Sequence, residues 1–469
     1  MKKSKKGFTL VELLAVIALI GVIMLIVAPN VIRLFKKGTK SAFKNEVLTI
    51  YNSVYPTYLS RTSDGDYSTR FCFTHGIGDS LDVENKENIS YDISIDDDGN
   101  ITKFTVINDD YVFKGNKITK KDIKSNNIKE KTNSDVIICD NIPLTLSQAM
   151  LRDNPTRNVR SNNDDITDFV GLFTENTTGT LFTSTESVTG ITNTPQEVYY
   201  YAGNTTNNWV KFGGFYWRII RTNHDESVRL LYSGTSSDTT NGYIGTSAYN
   251  SLANSTKYAG YKYGEDTSYD TMTNNTIDST VKTYIDAWYK NNLTNYTKYL
   301  STSAVYCNDR GISGVYSAST RYYYESYTRA YSYLTPTYDC YNQKDAFSVD
   351  NTSAKLNYPI ALMTFDEMWF AGSWRNPSWS SQYAWLHTNS KGNSITGNTR
   401  WWSLSPNRWD GKNSYQWSCA FDGDAYLAMS STNSNYGVRP VISLKSCAKV
   451  TGTGTADNPY VLDEKNSSC

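Results

Sequence analysis

Residues 8–28, FTLVELLAVIALIGVIMLIVA, are apolar at every one of 21 positions except Thr9, Glu12 and Gly21. As a helix the run is long enough to cross the roughly 30 Å of bilayer hydrocarbon. Lys2, Lys3, Lys5 and Lys6 precede it. The positive-inside rule therefore holds the N-terminus in the cytoplasm and sends the bulk of the chain outside. Glu12 is the residue that does not fit a simple anchor, because an ionised carboxylate in hydrocarbon is costly unless a partner meets it.

A cleaved secretory signal would end in small residues after the apolar run, yet PNVIRLFKKGTKSAF follows Ala28 without an A-x-A pattern. A plain anchor explains the length and the lysines and leaves Glu12 unexplained. Lys5, Lys6, Gly7, Phe8, Thr9, Leu10, Val11 and Glu12, followed by the apolar helix and Pro29, resemble the type IV pilin and pseudopilin family. That resemblance covers about the first 45 residues. It implies a leader of residues 1–7, a prepilin peptidase that cuts between Gly7 and Phe8, and N-methylation of Phe8. It also implies assembly with other pilin subunits through Glu12, the fifth residue of the mature chain.

Physical chemistry gives this register a reason. Cleavage creates an α-amino group, ordinarily titrating at about 8 and so cationic at neutral pH. Glu12 of a neighbouring subunit can pair with it, and the pair makes each buried charge tolerable. Pro29 has no N–H and clashes with the carbonyl four residues back, so the helix should kink or loosen there. Beyond it Val31, Ile32, Phe35, Phe43, Val47, Ile50, Val54 and Tyr55 recur with helical spacing. The transmembrane and amphipathic helix is thus expected over residues 8–58.

All seven cysteines, Cys72, Cys139, Cys307, Cys340, Cys419, Cys447 and Cys469, lie beyond the apolar run. That placement suits an oxidising compartment. Spacing allows local loops Cys72 to Cys139, Cys307 to Cys340 and Cys447 to Cys469 with Cys419 left over, although spacing alone does not determine connectivity. Close CxxC or CxxH pairs are absent, so no structural zinc is expected, and no cofactor is indicated. Basic and acidic residues number 46 each, which argues against direct contact with nucleic acid.

Residues 59–140 read as a small αβ module. In NISYDISIDDDGNITKFTVINDDYVFKG, residues 88–115, apolar and polar positions alternate on both sides of an Asp-Gly turn. This is a hairpin with Ile95 and Ile101 at its neck, and a third strand over residues 110–113. Asp96, Asp97 and Asp98 lack the spacing of a calcium loop. Residues 125–135 are polar enough for a loop or linker. A long helix on a small antiparallel sheet is the architecture the pilin resemblance implies, with Cys72 and Cys139 bracing it.

Residues 141–469 read as a large, mixed β-rich extracellular module, giving an α+β chain. Residues 141–154 carry a capping threonine and a short helical pattern, and WVKF, FYWRIIRT and SVRLLYS are strands with turns at Gly213-Gly214 and residues 224–226. FGGFYWRIIR, WWSLSP and YGVRPVISL together resemble extracellular domains of Gram-positive bacteria related to the C-type-lectin-like fold of formylglycine-generating enzymes. Catalysis of that kind needs closely placed reactive cysteines, and these are far apart. His75, His224 and His387 are isolated in sequence, with His224 in an exposed NHDE turn, and Asp422 and Asp424 suit a hairpin turn. No catalytic residue is therefore expected.

Trp369, Trp374, Trp379, Trp385, Trp401, Trp402, Trp409 and Trp417 crowd a short interval. Most should serve the core, with Trp401 and Trp402 on opposite faces of one strand; the remainder, beside Asn, Asp and Tyr, suit stacking on a glycan or another cell-surface ligand. No LPxTG-like signal and no second apolar span is present. These features describe a pilin-like structural subunit of a type IV pilus or a related type II secretion or DNA-uptake filament, minor or at the tip, that displays a large module for adhesion. The alternatives are a monomeric membrane-anchored surface protein and a tethered enzyme of formylglycine-generating type.

Overall fold

A computed structural model describes all residues except 1–9, 64–68, 75–76, 79–80, 82, 84–88, 133, 138, 140–143, 161–168, 170–178, 317–320, 374–383, 422–424, 465–466 and 468. For residues 10–35, 77, 314–316, 420–421 and 425 it describes the backbone alone. Gly7 and Phe8, and the side chains of Glu12 and Pro29, thus lie outside the described residues. Among the described residues no helix is long and apolar enough to cross a membrane. The chain divides into two compact units, Met1–Ile142 and Pro143–Cys469.

In the first unit the backbone is helical over Leu10–Ser63, α1, five residues beyond the expected end. Phe43, Val47, Ile50 and Val54 are buried while their neighbours at 45 and 49 are exposed, so a stripe at spacings of four, three and four faces the sheet. That sheet contains β1 (Arg70–Thr74), β2 (Ile77–Gly78), β3 (Ser90–Ile95), β4 (Ile101–Ile107), β5 (Tyr111–Asn116) and β6 (Lys129–Glu130) in the order β2-β1-β3-β4-β5-β6. Phe71, Tyr91, Ile93, Phe104, Val106 and Phe113 meet the helix from it.

The β3–β4 hairpin closes with Ile95 opposite Ile101. In its turn the Asp96 carboxylate accepts the backbone N–H groups of Asp98 (3.1 Å) and Asn100 (2.8 Å), so the aspartates shape a turn. Gly99 has φ +81°, and a Cβ there would lie about 3 Å from Tyr55 and Tyr58; glycine is required twice over. Residues 125–135, expected as a loop or linker, instead supply β6, which pairs with β5 through Tyr111 opposite Glu130. Cys72 and Cys139 are bonded and pack with Ile107, Val112 and Ile137.

The second unit is mixed and β-rich. Thr145 caps α2 (Leu146–Asp153) through a reciprocal pair with Gln148. Around it an eleven-stranded sheet includes β7 (Leu144–Thr145), β8 (Thr156–Val159), β9 (Thr180–Glu186), β10 (Gln196–Tyr200), β11 (Trp209–Phe212), β12 (Phe215–Thr222) and β13 (Val228–Tyr232). Gly213 and Gly214 have φ +60° and +84°, which only glycine adopts freely, and they set Phe212 opposite Phe215. Tyr460–Leu462 pairs with β11 and Lys449–Thr451 with β7, so the C-terminal segment closes the sheet beside its first strand.

A seven-stranded sheet contains Trp401–Trp409 between Arg321–Tyr324 and Ser414–Phe421. Trp401 lies under the Arg439 guanidinium (4.7 Å), and Trp402 donates its indole N–H to Ser247 (2.8 Å); both are buried, so this strand is covered on both faces. Trp369, Trp385 and Trp417 are buried as well, Trp409 is half-buried, and Trp374 and Trp379 lie outside the described residues.

Charge joins these elements at the centre. Arg221 and Arg229 sit directly opposite each other on β12 and β13, an unfavourable pairing of like charges. Glu367, in the helix Phe365–Phe370, accepts from Arg221 Nε (3.0 Å) and from Arg229 Nη1 with the same oxygen. Its other oxygen accepts the Thr364 backbone N–H (3.0 Å), completing that helix's cap. Arg221 also reaches Glu186 of β9 (2.8 Å). All four charged side chains are at most 3% exposed. Burial alone pushes the Glu367 carboxyl up, but Arg229 and Arg221 outweigh it and hold the group below its ordinary range.

Replacing Glu367 with alanine removes the carboxylate that Arg229 meets, leaves Arg221 with Glu186 alone, and should destabilise the second unit by about 3–5 kcal/mol. Denaturant unfolding followed by tryptophan fluorescence measures this, since all eleven tryptophans lie beyond residue 142. A loss below about 1 kcal/mol would show that the ion pairs do not hold these elements together.

Candidate functional site

The six cysteines expected to pair do so as Cys72–Cys139, Cys307–Cys340 and Cys447–Cys469, with Cα separations of 5.5, 5.7 and 5.5 Å. Cys419 is free and buried. His224 is not the exposed turn residue the sequence suggests: its side chain is 6% exposed, and Nδ1 lies 3.2 Å from Glu186. Asp225 beside it accepts hydroxyls from Ser227, Ser301 and Ser303. The His224 and Asp225 side chains are therefore tied into the fold, while Glu226 at the tip of the turn is exposed. His75, Asp422 and Asp424 lie outside the described residues.

His387 is isolated in sequence but not in space. Its Nε2 lies 2.5 Å from Ser373 Oγ and its Nδ1 3.7 Å from Cys419 Sγ, all three residues being buried. Burial pushes the Cys419 thiol up to about 12. Burial, assisted by the charge of Arg439, pushes His387 down to about 3. At neutral pH the pair is thus thiol and neutral imidazole, without the thiolate that nucleophilic chemistry needs.

Three of the cavities lined by described residues have the size of a ligand site. Two, of about 530 and 550 Å³, lie in the first unit along α1 and the strand ends. The third, about 540 Å³, is in the second unit and is lined by residues 204–206, Trp209, Arg218, residues 388–390, Gly392 and residues 455–457. By contrast, the space among Glu186, Arg221, Arg329 and Asp366 is only about 20 Å³, room for about one water. Among the described residues no cluster of His, Cys, Asp or Glu could hold a metal ion.

The third cavity is built around Arg218. The β11–β12 register sets Arg218 opposite Trp209, and the guanidinium lies 4.1 Å from the centroid of that indole and 5.6 Å from that of Trp385. Nε donates to Asn208 Oδ1 (2.6 Å), Nη2 to the Thr205 carbonyl (2.9 Å) and Nη1 to the Thr388 carbonyl (3.3 Å). Asn208 is itself fixed by donating to the Ile219 carbonyl (2.9 Å). Every one of these acceptors is neutral, and among the described residues no carboxylate forms an ion pair with Arg218. Burial, with the charge of Arg439 added, pushes its pKa well below the usual arginine range. The cavity thus holds a rigid, desolvated cation at its floor and Asn204, Thr206, Ser390, Thr455 and Asp457 around it. Trp209 is 2% exposed with a face already covered by Arg218, so it offers no free platform for a sugar ring.

Residues 2–28 match the prokaryotic N-terminal methylation motif. The N-terminus is therefore type IV pilin-like, and the motif implies processing by a prepilin peptidase and assembly with other pilins. No curated protein and no solved structure matches the chain at a significant level.

His387 should make the second unit acid-sensitive. Its folded pKa of about 3 lies below the ordinary 6.5, so the unfolded chain takes up the proton first and stability falls as pH drops from about 6.5 toward 3. Between pH 7 and 5 the parent chain should lose about 2 kcal/mol more than His387→Gln, compared by denaturant unfolding at each pH. Equal slopes would place the histidine in contact with solvent.

Proposed function

We propose that the chain is a pilin-like structural subunit, minor or at the tip, of a type IV pilus or related type II secretion or DNA-uptake filament. In this reading it is anchored as a precursor in the cytoplasmic membrane with its N-terminus inside, and then displays the second unit at the cell surface for adhesion. The observation that carries the reading is the N-terminal register: Gly7, Phe8 and Glu12 all fall within the methylation motif matched over residues 2–28. A long helix packed on a small antiparallel sheet supports it. A minor or tip position is favoured by bulk, since residues 143–469 form a unit far larger than the helix-and-sheet unit that precedes it.

We read the second unit as C-type-lectin-like from its FGGFYWRIIR, WWSLSP and YGVRPVISL segments, which form β11–β12, the start of Trp401–Trp409 and the strands near residues 435–444. We take its role to be binding rather than catalysis, because Cys419 and His387 are held neutral. Its 540 Å³ cavity is the place where a cell-surface ligand would sit.

Sequencing and mass analysis of the mature N-terminus should give N-methylated Phe8; an intact Met1 would sink the pilin reading in favour of a monomeric anchored protein. Glu12→Ala should insert in the membrane normally while its recovery in sheared filaments falls by about tenfold or more, reflecting an unpaired buried amine. Undiminished recovery would refute the pairing.

A further inference from the structure

We infer that the cavity over Arg218 binds a sugar bearing a single carboxylate, such as a uronic or sialic acid residue at the end of a glycan. The inference rests on the display function proposed above and gives its ligand a chemical class. The cation is the first reason. A guanidinium has five N–H donors, and the three neutral oxygens at Asn208, Thr205 and Thr388 take one each from Nε, Nη2 and Nη1. One hydrogen remains on each terminal nitrogen, and a carboxylate is the group that takes two guanidinium hydrogens at once.

Elsewhere in the same unit, buried arginines meet carboxylates: Arg221 and Arg229 meet Glu367, Arg310 meets Asp345, and Arg329 meets Asp366. Arg218 lines an open cavity of about 540 Å³ instead. Arg439, also buried and also bonded only to neutral oxygens, adds positive potential at Arg218. A ligand anion would supply the counter-charge the chain omits.

The rim supplies the second reason. Asn204, Thr206, Ser390 and Thr455 offer hydroxyl and amide groups at the mouth, chemistry that matches the hydroxyls of a sugar rather than an apolar side chain. Asp457, exposed at the same mouth, can accept sugar hydroxyls and repels a second anion. The site therefore favours one carboxylate over a polysulfated or polyphosphorylated chain. The indoles of Trp209 and Trp385 hold the guanidinium flat and dry, which strengthens a charge-assisted contact.

The test uses the full chain in detergent micelles and calorimetric titration with a glucuronate-terminated oligosaccharide, a sialylated oligosaccharide, the same glucuronate oligosaccharide reduced to its neutral alcohol, and an acidic tetrapeptide. The carboxylated sugars should bind at least about tenfold more tightly than the neutral one. Arg218→Met should abolish that preference and Arg218→Lys should retain only part of it, since lysine lacks the fork. Because Arg218 also ties loops together, Asp457→Asn provides a variant at an exposed position. It should raise the preference for the carboxylated sugars over the neutral one by about twofold to fivefold through loss of a like charge. Equal binding of charged and neutral sugars, stronger binding of the peptide, or no binding by a folded chain each overturns the inference. Filament incorporation of the same chain, scored separately, decides the subunit reading.

Discussion

Glu367 is the point on which the second unit turns. Its carboxylate neutralises two arginines that strand pairing forces to face each other, and the same group closes the N-terminus of its own helix. One side chain thus fixes the register of β12 against β13, the position of the helix Phe365–Phe370 above them and, through Arg221, the end of β9 at Glu186. Such a network is not cheap, since an apolar substitute of equal shape can match it in stability. Its effect is to reject alternatives: a one-residue slip of β12 would carry Arg221 away from Glu367 and Glu186, and a buried charge left unpaired costs several kcal/mol.

Arg218 departs from that pattern within the same strand. Side chains alternate along a strand, so two arginines three residues apart on β12 serve different surroundings, and the register against β13 shifts between Ile219 and Arg221. Arg221 enters the ionic centre; Arg218 turns to two indoles and to carbonyls of the loops at 205 and 388. Cation–π contact and neutral hydrogen bonds recover part of the hydration lost on burial, on the order of 2 kcal/mol for a desolvated pair. They do not supply a counter-ion. The cation is therefore held in place more firmly than it is neutralised, which is the condition for preorganised recognition of an anion.

What the sequence made legible follows from the range of the forces involved. The β3–β4 hairpin, the α2 cap and the Gly213-Gly214 turn depend on residues within a few positions of one another, and each is readable from local chemistry. Strand β6 is only two residues long and exists because β5 presents an open edge, so its polar sequence reads as a loop. His224 reads as an exposed turn residue because Glu186, which lies beside it, is 38 residues earlier in the chain. His387 and Cys419, 32 residues apart, meet only through the packing of a loop against Ser414–Phe421. The arginines of FYWRIIRT were the visible signal for Arg218: charge inside an apolar strand requires a partner, although the strand alone does not identify it.

The same reasoning links the two ends of the molecule. Positive and negative side chains are equal in number over the whole chain, and the buried charges of the second unit are mostly settled between its own strands and helices. Glu12 has no cation within its apolar run of 21 residues, and in the reading proposed above it is met by the amine that cleavage creates on another subunit. Among the described residues Arg218 forms no ion pair, and the cavity that it lines has Asp457 at its rim. A charge that folding does not neutralise stays costly until another molecule brings its opposite, and that cost makes binding selective for sign as well as shape. In the two proposals, assembly through Glu12 and recognition through Arg218 follow one rule: a charge left unpaired at an open site selects a partner of the opposite sign.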